Sequence, residues 1–219
     1  MQPSRDDTET RNTSPPAEEH QTIWPSILYF GTPVTLVTTL NADATPNIGP
    51  MSSAWALGYT IVMGWDSTAH TLANLQRERE CVINLPGPAL VEEVETLAPL
   101  TGRNPPAPHK ADTFRFEPRK LQAAGLTPAA AETVKPPRIA QCPLQFEAKV
   151  TAIHEPATRP DGEYFRIVEA HVQRVHALTS IVKPGTNHID PRHWSPLLYV
   201  FRHYFATGQE IGRSFRAED

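Results

Sequence analysis

The sequence predicts a mainly β protein with inserted helices, built as an antiparallel barrel. Five or six β-branched, apolar segments recur along the chain with short turns between them. Only two helical patterns interrupt them, and these do not alternate with strands as a βαβ series requires. The length of 219 residues, with 39% hydrophobic and 20% charged side chains, is that of one globular domain.

Residues 1–22 are polar and rich in Ser, Thr, Pro and Glu, and are expected to form a disordered tail. Residues 23–219 are expected to be the domain. Val34–Leu40 is β-branched and reads as the first strand. Asn41–Thr45 is its turn. A second strand is expected from Pro46 to Trp55, interrupted at Gly49 and Pro50. Tyr59–Trp65 is nearly all apolar, which predicts a strand buried on both faces. A helix is expected from Ala69 to Arg79, with Ser67 or Thr68 as N-cap and Ala69, Leu72, Ala73 and Leu75 on its apolar face. Cys81–Leu85 is another strand. Pro88–Leu97 is a helix with proline at its start, where the missing N–H does no harm. The Pro-rich stretch 99–141 is expected to pack on the barrel as an excursion. Leu144–Ile153 alternates as a half-buried strand does. Asp161-Gly162 reads as a hairpin turn into a return strand, Tyr164–His176.

Composition narrows the function. A net charge of -4 and a pI near 6.1 lack the clustered cations of a nucleic-acid surface. No apolar run approaches the roughly 20 residues of a membrane span. The first residues have no apolar signal core, so a cytoplasmic protein is expected. Cys81 and Cys142 sit in separate apolar runs and read as reduced core thiols. There is no GxGxxG, P-loop or GxSxG segment. The histidines are scattered without metal-ligand spacing, so no metal is expected.

What remains is one region, Asn47 to Asn74. Its second half, Asp66-Ser-Thr-Ala-His-Thr71, is a hydroxyl-rich turn opening a helix. The first N–H groups of a helix lack intrahelical acceptors and sit at its positive end, as a phosphate site requires. The turn has no Lys or Arg of its own. Its first half, Gly49-Pro-Met-Ser-Ser53, cannot form a regular ladder, which leaves backbone groups and serine hydroxyls to face a flat ring. Taken singly, the first half reads first as a bulged strand with solvent-facing serines. The second reads first as an ordinary helix cap.

Taken in order, the segments TPVTLVTTLNADATPNIGPMSSAW, GWDSTAHTLANLQRERECVINLP, PPRIAQCPLQFEAKV, EAHVQRVHA and IDPRHWSPLLYVFRHYFATG resemble the flavin-reductase-like, FMN-binding split-barrel family, in its flavoredoxin-type branch. The resemblance runs from about residue 26 to 208. It implies a six-stranded antiparallel split β-barrel and a homodimer with non-covalent FMN near the subunit interface. It implies that Met51, Ser52, Ser53 and Ala54 contact the flavin ring, and that Ser67, Thr68 and Thr71 hold its phosphate. Asn47 and Asn74 would serve the ribityl chain or the loop's own hydrogen bonds. His171, Arg202 and His203 are candidates for the substrate side; each also reads as a surface or interface residue.

The activity implied is transfer of hydride from NADH or NADPH to FMN, with the reduced flavin passed to a monooxygenase or used on a small organic acceptor. Two alternatives stand beside it: an FMN electron-transfer protein served by another protein, and a flavin-binding barrel with no turnover. The sequence departs from the family in three places, the first being a phosphate turn without the Arg or Lys of some relatives. Ala44 follows Asp43 where a glycine is common, and Asp161-Gly162-Glu163 lacks the histidine that helps place nicotinamide in some members.

Overall fold

The computed structural model describes residues 19–155 and 165–215. Residues 1–18 of the expected tail and the Asp161-Gly162 turn lie outside them. The strands and helices, in chain order, are β1 (Phe30–Pro33), β2 (Thr35–Leu40), β3 (Pro46–Met51), β4 (Ala54–Leu57), β5 (Thr60–Asp66), α1 (His70–Glu78), β6 (Glu80–Leu85) and α2 (Val91–Leu97). Then come β7 (Leu100–Thr101), β8 (Arg115–Phe116), α3 (Lys120–Ala123), β9 (Pro128–Ala129), β10 (Arg138–Ile139), β11 (Leu144–His154), β12 (Phe165–Ala177), β13 (Leu198–Val200) and β14 (His203–Phe205). A single 3-10 turn, Pro88–Leu90, leads into α2, so the proline opens that segment as expected.

The main sheet has the order β3-β2-β6-β11-β12-β5-β4, antiparallel throughout. Its two edge strands, β3 and β4, are joined by Ser52 and Ser53 alone. Edges so tethered can coexist in one sheet only if the sheet curls until they meet, which makes it a split barrel. The Gly64 N–H donates to the Ser53 carbonyl at 2.8 Å, which carries the β4–β5 ladder up to the break. The sheet therefore has seven strands instead of six, because the expected second strand breaks in two. The break lies at Ser52-Ser53, not at Gly49 and Pro50. Those two pair in register with Val37 and Leu36. Pro50 is tolerated because β3 is an edge strand, where a missing N–H costs no ladder bond.

Two cores hold the fold. Inside the barrel, Val37, Met63, Trp65, Ile83 and Val168 pack with Leu72 and Leu75 of α1. Outside it, Leu36 and Ile48 pack under α2, α3 and the Pro-rich excursion, with Leu97, Leu121, Leu126 and Ile139. The strands buried on both faces are thus β2 and β6, not β5 as expected. The excursion covers the outer side of β2, while β5 alternates buried and half-buried residues under no second layer. Both cysteines are free and buried, and burial pushes each thiol up to about 12.

One buried carboxylate ties the excursion to the barrel. Glu147 on β11 is fully buried and accepts hydrogen bonds from the Glu132 and Thr133 N–H groups, the Thr133 hydroxyl and His176 Nε2. Burial by itself would raise its pKa; these donors outweigh it and hold the group down to about 2.

Candidate functional site

A cleft of about 450 Å³ opens at the barrel seam, within the size range of small-molecule sites. Several pieces of chain converge there. The β3–β4 break gives Met51, Ser52 and Ser53. The end of β5 gives Gly64, Trp65 and Asp66. The start of α1 gives Ala69, His70 and Thr71. The excursion forms the far side.

One end of the cleft is rich in donors. α1 begins at His70 with Ala69 as its N-cap and no side-chain cap bond. The expected caps, Ser67 and Thr68, lie two residues and one residue too early. The first helical acceptor is used by Ala73, so the N–H groups of His70, Thr71 and Leu72 have no backbone acceptor. The Thr71 hydroxyl accepts from Asn47 Nδ2 at 3.1 Å, which leaves its own proton for the cleft. Thr68 is different. Its N–H and hydroxyl both donate to the Asp66 carboxylate, at 2.7 and 2.5 Å, so its proton is committed to the turn. Asp66 is shifted below its ordinary range: burial would raise it, and the Thr68 donors and Lys110 outweigh that.

Gly49 lets this end form. A Cβ there would stand 2.5 Å from Thr71 Oγ1, so only glycine admits the hydroxyl. Gly102 does the same for His70, whose Cδ2 would be 2.5 Å from an added Cβ.

The other end is flatter and more apolar. Pro50, Met51 and Trp65 line it, with Tyr199 and Tyr204 of the β1-β13-β14 sheet and Tyr29, the residue before β1. Tyr29 meets Tyr199 edge-on at 5.5 Å, and its hydroxyl is 2.9 Å from Ser53 Oγ. Tyr204 donates to Glu95 at 2.5 Å; burial and that carboxylate raise its pKa.

The expected residues divide three ways. Met51, Ser52, Ser53, Thr68 and Thr71 line the cleft. Asn47 and Asn74 stand behind its wall, both donating to Thr39 Oγ1, and Asn74 also to Asn41 Oδ1. Ser67 and Ala54 do not line it, and Ala54 points into the barrel core. His171, Arg202 and His203 do not line it either. His171 is exposed opposite Thr60, four residues before Gly64 on β5. Arg202 lies in the β13–β14 turn at φ 72 and His203 is exposed; their hairpin reaches the cleft through Tyr199 and Tyr204 instead.

The cations missing from the helix-opening turn come from far along the chain. Arg103 Nη1 reaches the Thr68 carbonyl at 3.4 Å, and Lys110 pairs with Asp66 at 3.1 Å. Lys120 lines the cleft while being only 4% exposed, and burial pushes it down to about 8. Burial, then Lys120, Arg77 and Arg103, lower the pKa of His70, whose Nε2 lies 2.8 Å from Asn41 Oδ1. Nothing local marks these residues. Lys120 sits in Arg-Lys-Leu-Gln-Ala-Ala, which reads as an ordinary amphipathic turn until the fold buries it.

The cleft fits a phosphorylated flat heterocycle on its own chemistry. It offers unpaired helix N–H groups, a free hydroxyl proton and cations at one end. At the other lies an apolar trough that Pro50, Met51 and Trp65 help to line. Comparison with known proteins gives the same direction. Residues 27–208 match the family model described as "Flavin reductase like domain". The chain is 47% identical over 197 residues to YdfE of Bacillus subtilis (strain 168), covering 90% of this chain and 93% of that protein. Its fold superposes on flavoredoxin of Desulfovibrio vulgaris (Miyazaki F) with a TM-score of 0.73 at 20% identity, covering 91% of this chain and 99% of the other. It also superposes on nitrilotriacetate monooxygenase component B from Bacillus cereus, at 0.69 and 17% identity, covering 86% and 89%.

Proposed function

Because this chain belongs to the flavin reductase-like family, we propose that it is an FMN-dependent oxidoreductase that draws hydride from NADH or NADPH. The observation that carries this reading is the seam cleft, with phosphate-type donors at one end and a kinked strand with aromatic walls at the other. Bound there, the flavin supplies the two-electron chemistry. The chain supplies the rest. The N–H groups at the start of α1 and the Thr71 hydroxyl hold the phosphoryl group. Met51, Ser52 and Ser53 face the ring, with Ser53 fixed by Tyr29. Asn47 orients the Thr71 proton, and the tyrosines exclude water from one side of the trough.

We read the molecule as a cytoplasmic homodimer. Trp55, Leu57 and Tyr59 are 59%, 75% and 65% exposed on the β4–β5 hairpin, beside the seam. So large an apolar patch is what a partner surface covers. Among the described residues no helix is long and apolar enough to cross a membrane. The component B likeness favours a monooxygenase as recipient of reduced flavin. The second reading is an electron carrier that keeps its FMN, and the absent histidine at Asp161-Gly162-Glu163 favours it.

Anaerobic mixing with NADH or NADPH separates the two. The reductase bleaches its flavin absorbance without a partner; the carrier does not. Thr71→Val should weaken FMN binding about tenfold, the loss of one hydrogen bond to a charged group, while His203→Ala leaves it unchanged. Equal losses in a flavin titration would refute the phosphate assignment.

A further inference from the structure

Three buried side chains in the described residues carry charge: Lys120, Glu147 and Asp190. Two are fully matched. Glu147 has four hydrogen-bond donors, and Asp190 is paired with Arg192 at 2.7 Å. Lys120 has neither ion pair nor hydrogen bond to any described residue. The one carboxylate among the residues that line the cleft, Asp66, is taken by Lys110 and Thr68.

A cationic side chain 4% exposed, with no partner in the chain and only the cleft to face, is costly to hold, and a neutral side chain of similar volume would fill the space without that cost. Lys120 opens α3, whose next residue, Leu121, is locked in the outer core. The helix is therefore anchored, and the side chain is held at the cleft wall close enough to lower the pKa of His70.

We propose that Lys120 sets the cleft's selectivity for an anionic ligand, its ammonium group being completed by a negative charge that the ligand brings. This rests on the flavin reading above. A flavin mononucleotide has two sources of such charge: its phosphoryl group, and the ring once it is reduced. Riboflavin has only the second.

The test compares the full chain, stripped of flavin, with its Lys120→Met variant. Dissociation constants are measured for FMN and riboflavin, oxidised and reduced under anaerobic conditions, alongside the melting temperature of each ligand-free protein. The variant is expected to melt no lower than wild type, since it loses an unpaired buried charge. Its affinity for at least one anionic form should fall tenfold or more. Loss confined to FMN, in both redox states, assigns the charge to the phosphoryl group. Loss of both flavins in the reduced state alone assigns it to the ring. Affinities all within twofold of wild type overturn the proposal and leave the flavin reading intact. So does a variant that melts lower and loses every form equally, because that describes a packing residue. A wild-type chain that binds neither flavin overturns both readings.

Discussion

Lys120 makes the ligand-free fold less stable than it need be. Its pKa stands at about 8 against an ordinary 10.5, a difference worth about 3 kcal/mol. The sign follows from which state holds the proton. Between pH 8 and 10.5 the unfolded chain binds it and the native chain does not, so stability rises with pH across that window. Below pH 8 the penalty is complete. Lys120→Met should therefore stabilise the flavin-free protein by about 1–3 kcal/mol at pH 7. That gain should shrink towards zero by pH 10.5, as denaturant titrations at both pH values would show. At the same scale, serine and threonine identities turn out to be poor guides to donors. Thr68 and Thr71 look alike in the sequence. Only the contact to Asp66 commits one proton, and only the contact from Asn47 frees the other.

Two elements owe their geometry to single residues. The β2–β3 hairpin turns through Ala44 at φ 63, in the left-handed region. Asp43 holds the turn by accepting the Thr45 N–H and hydroxyl. The turn thus keeps the backbone that a glycine would adopt freely, at the cost of strain in an alanine. Ala44→Gly should raise stability by about 0.5–1 kcal/mol, read as a shift in urea midpoint at unchanged slope. The second element is the excursion, pinned by Glu147. A carboxylate held at about 2, against an ordinary 4.5, stabilises the fold fully above pH 4.5 and loses that contribution as pH falls towards 2. Glu147→Gln should cost about 2–3 kcal/mol at pH 7 and flatten the acid limb of the stability profile between pH 4.5 and 2. An acid limb as steep as wild type's would contradict it.

At the scale of the whole molecule, the curled sheet sets what the surface offers. Curling brings β3 to β4 across two serines and leaves the β4–β5 hairpin outermost, with Trp55, Leu57 and Tyr59 exposed together. A partner copy seated there would lie beside the cleft. Leu57→Asp should convert a dimer to a monomer in sedimentation, because a charge on such an interface must be desolvated without a partner. If the mass of wild type is already that of one chain, the homodimer reading falls.

Strand periodicity, helix starts and the hydroxyl-rich turn were legible in residue order, since each depends on neighbours within a few positions. Of the nine residues expected to bind the cofactor, Met51, Ser52, Ser53, Thr68 and Thr71 line the candidate cleft. Long-range apposition was not legible. Lys110 and Lys120 reach a turn more than forty positions earlier because the outer core folds the excursion over β2 and β3. The buried face of β2 and the unpaired charge of Lys120 arise from the same packing. Local sequence sets backbone preference; burial, and with it the strength of every charge in the cleft, is decided only when distant segments exclude water together.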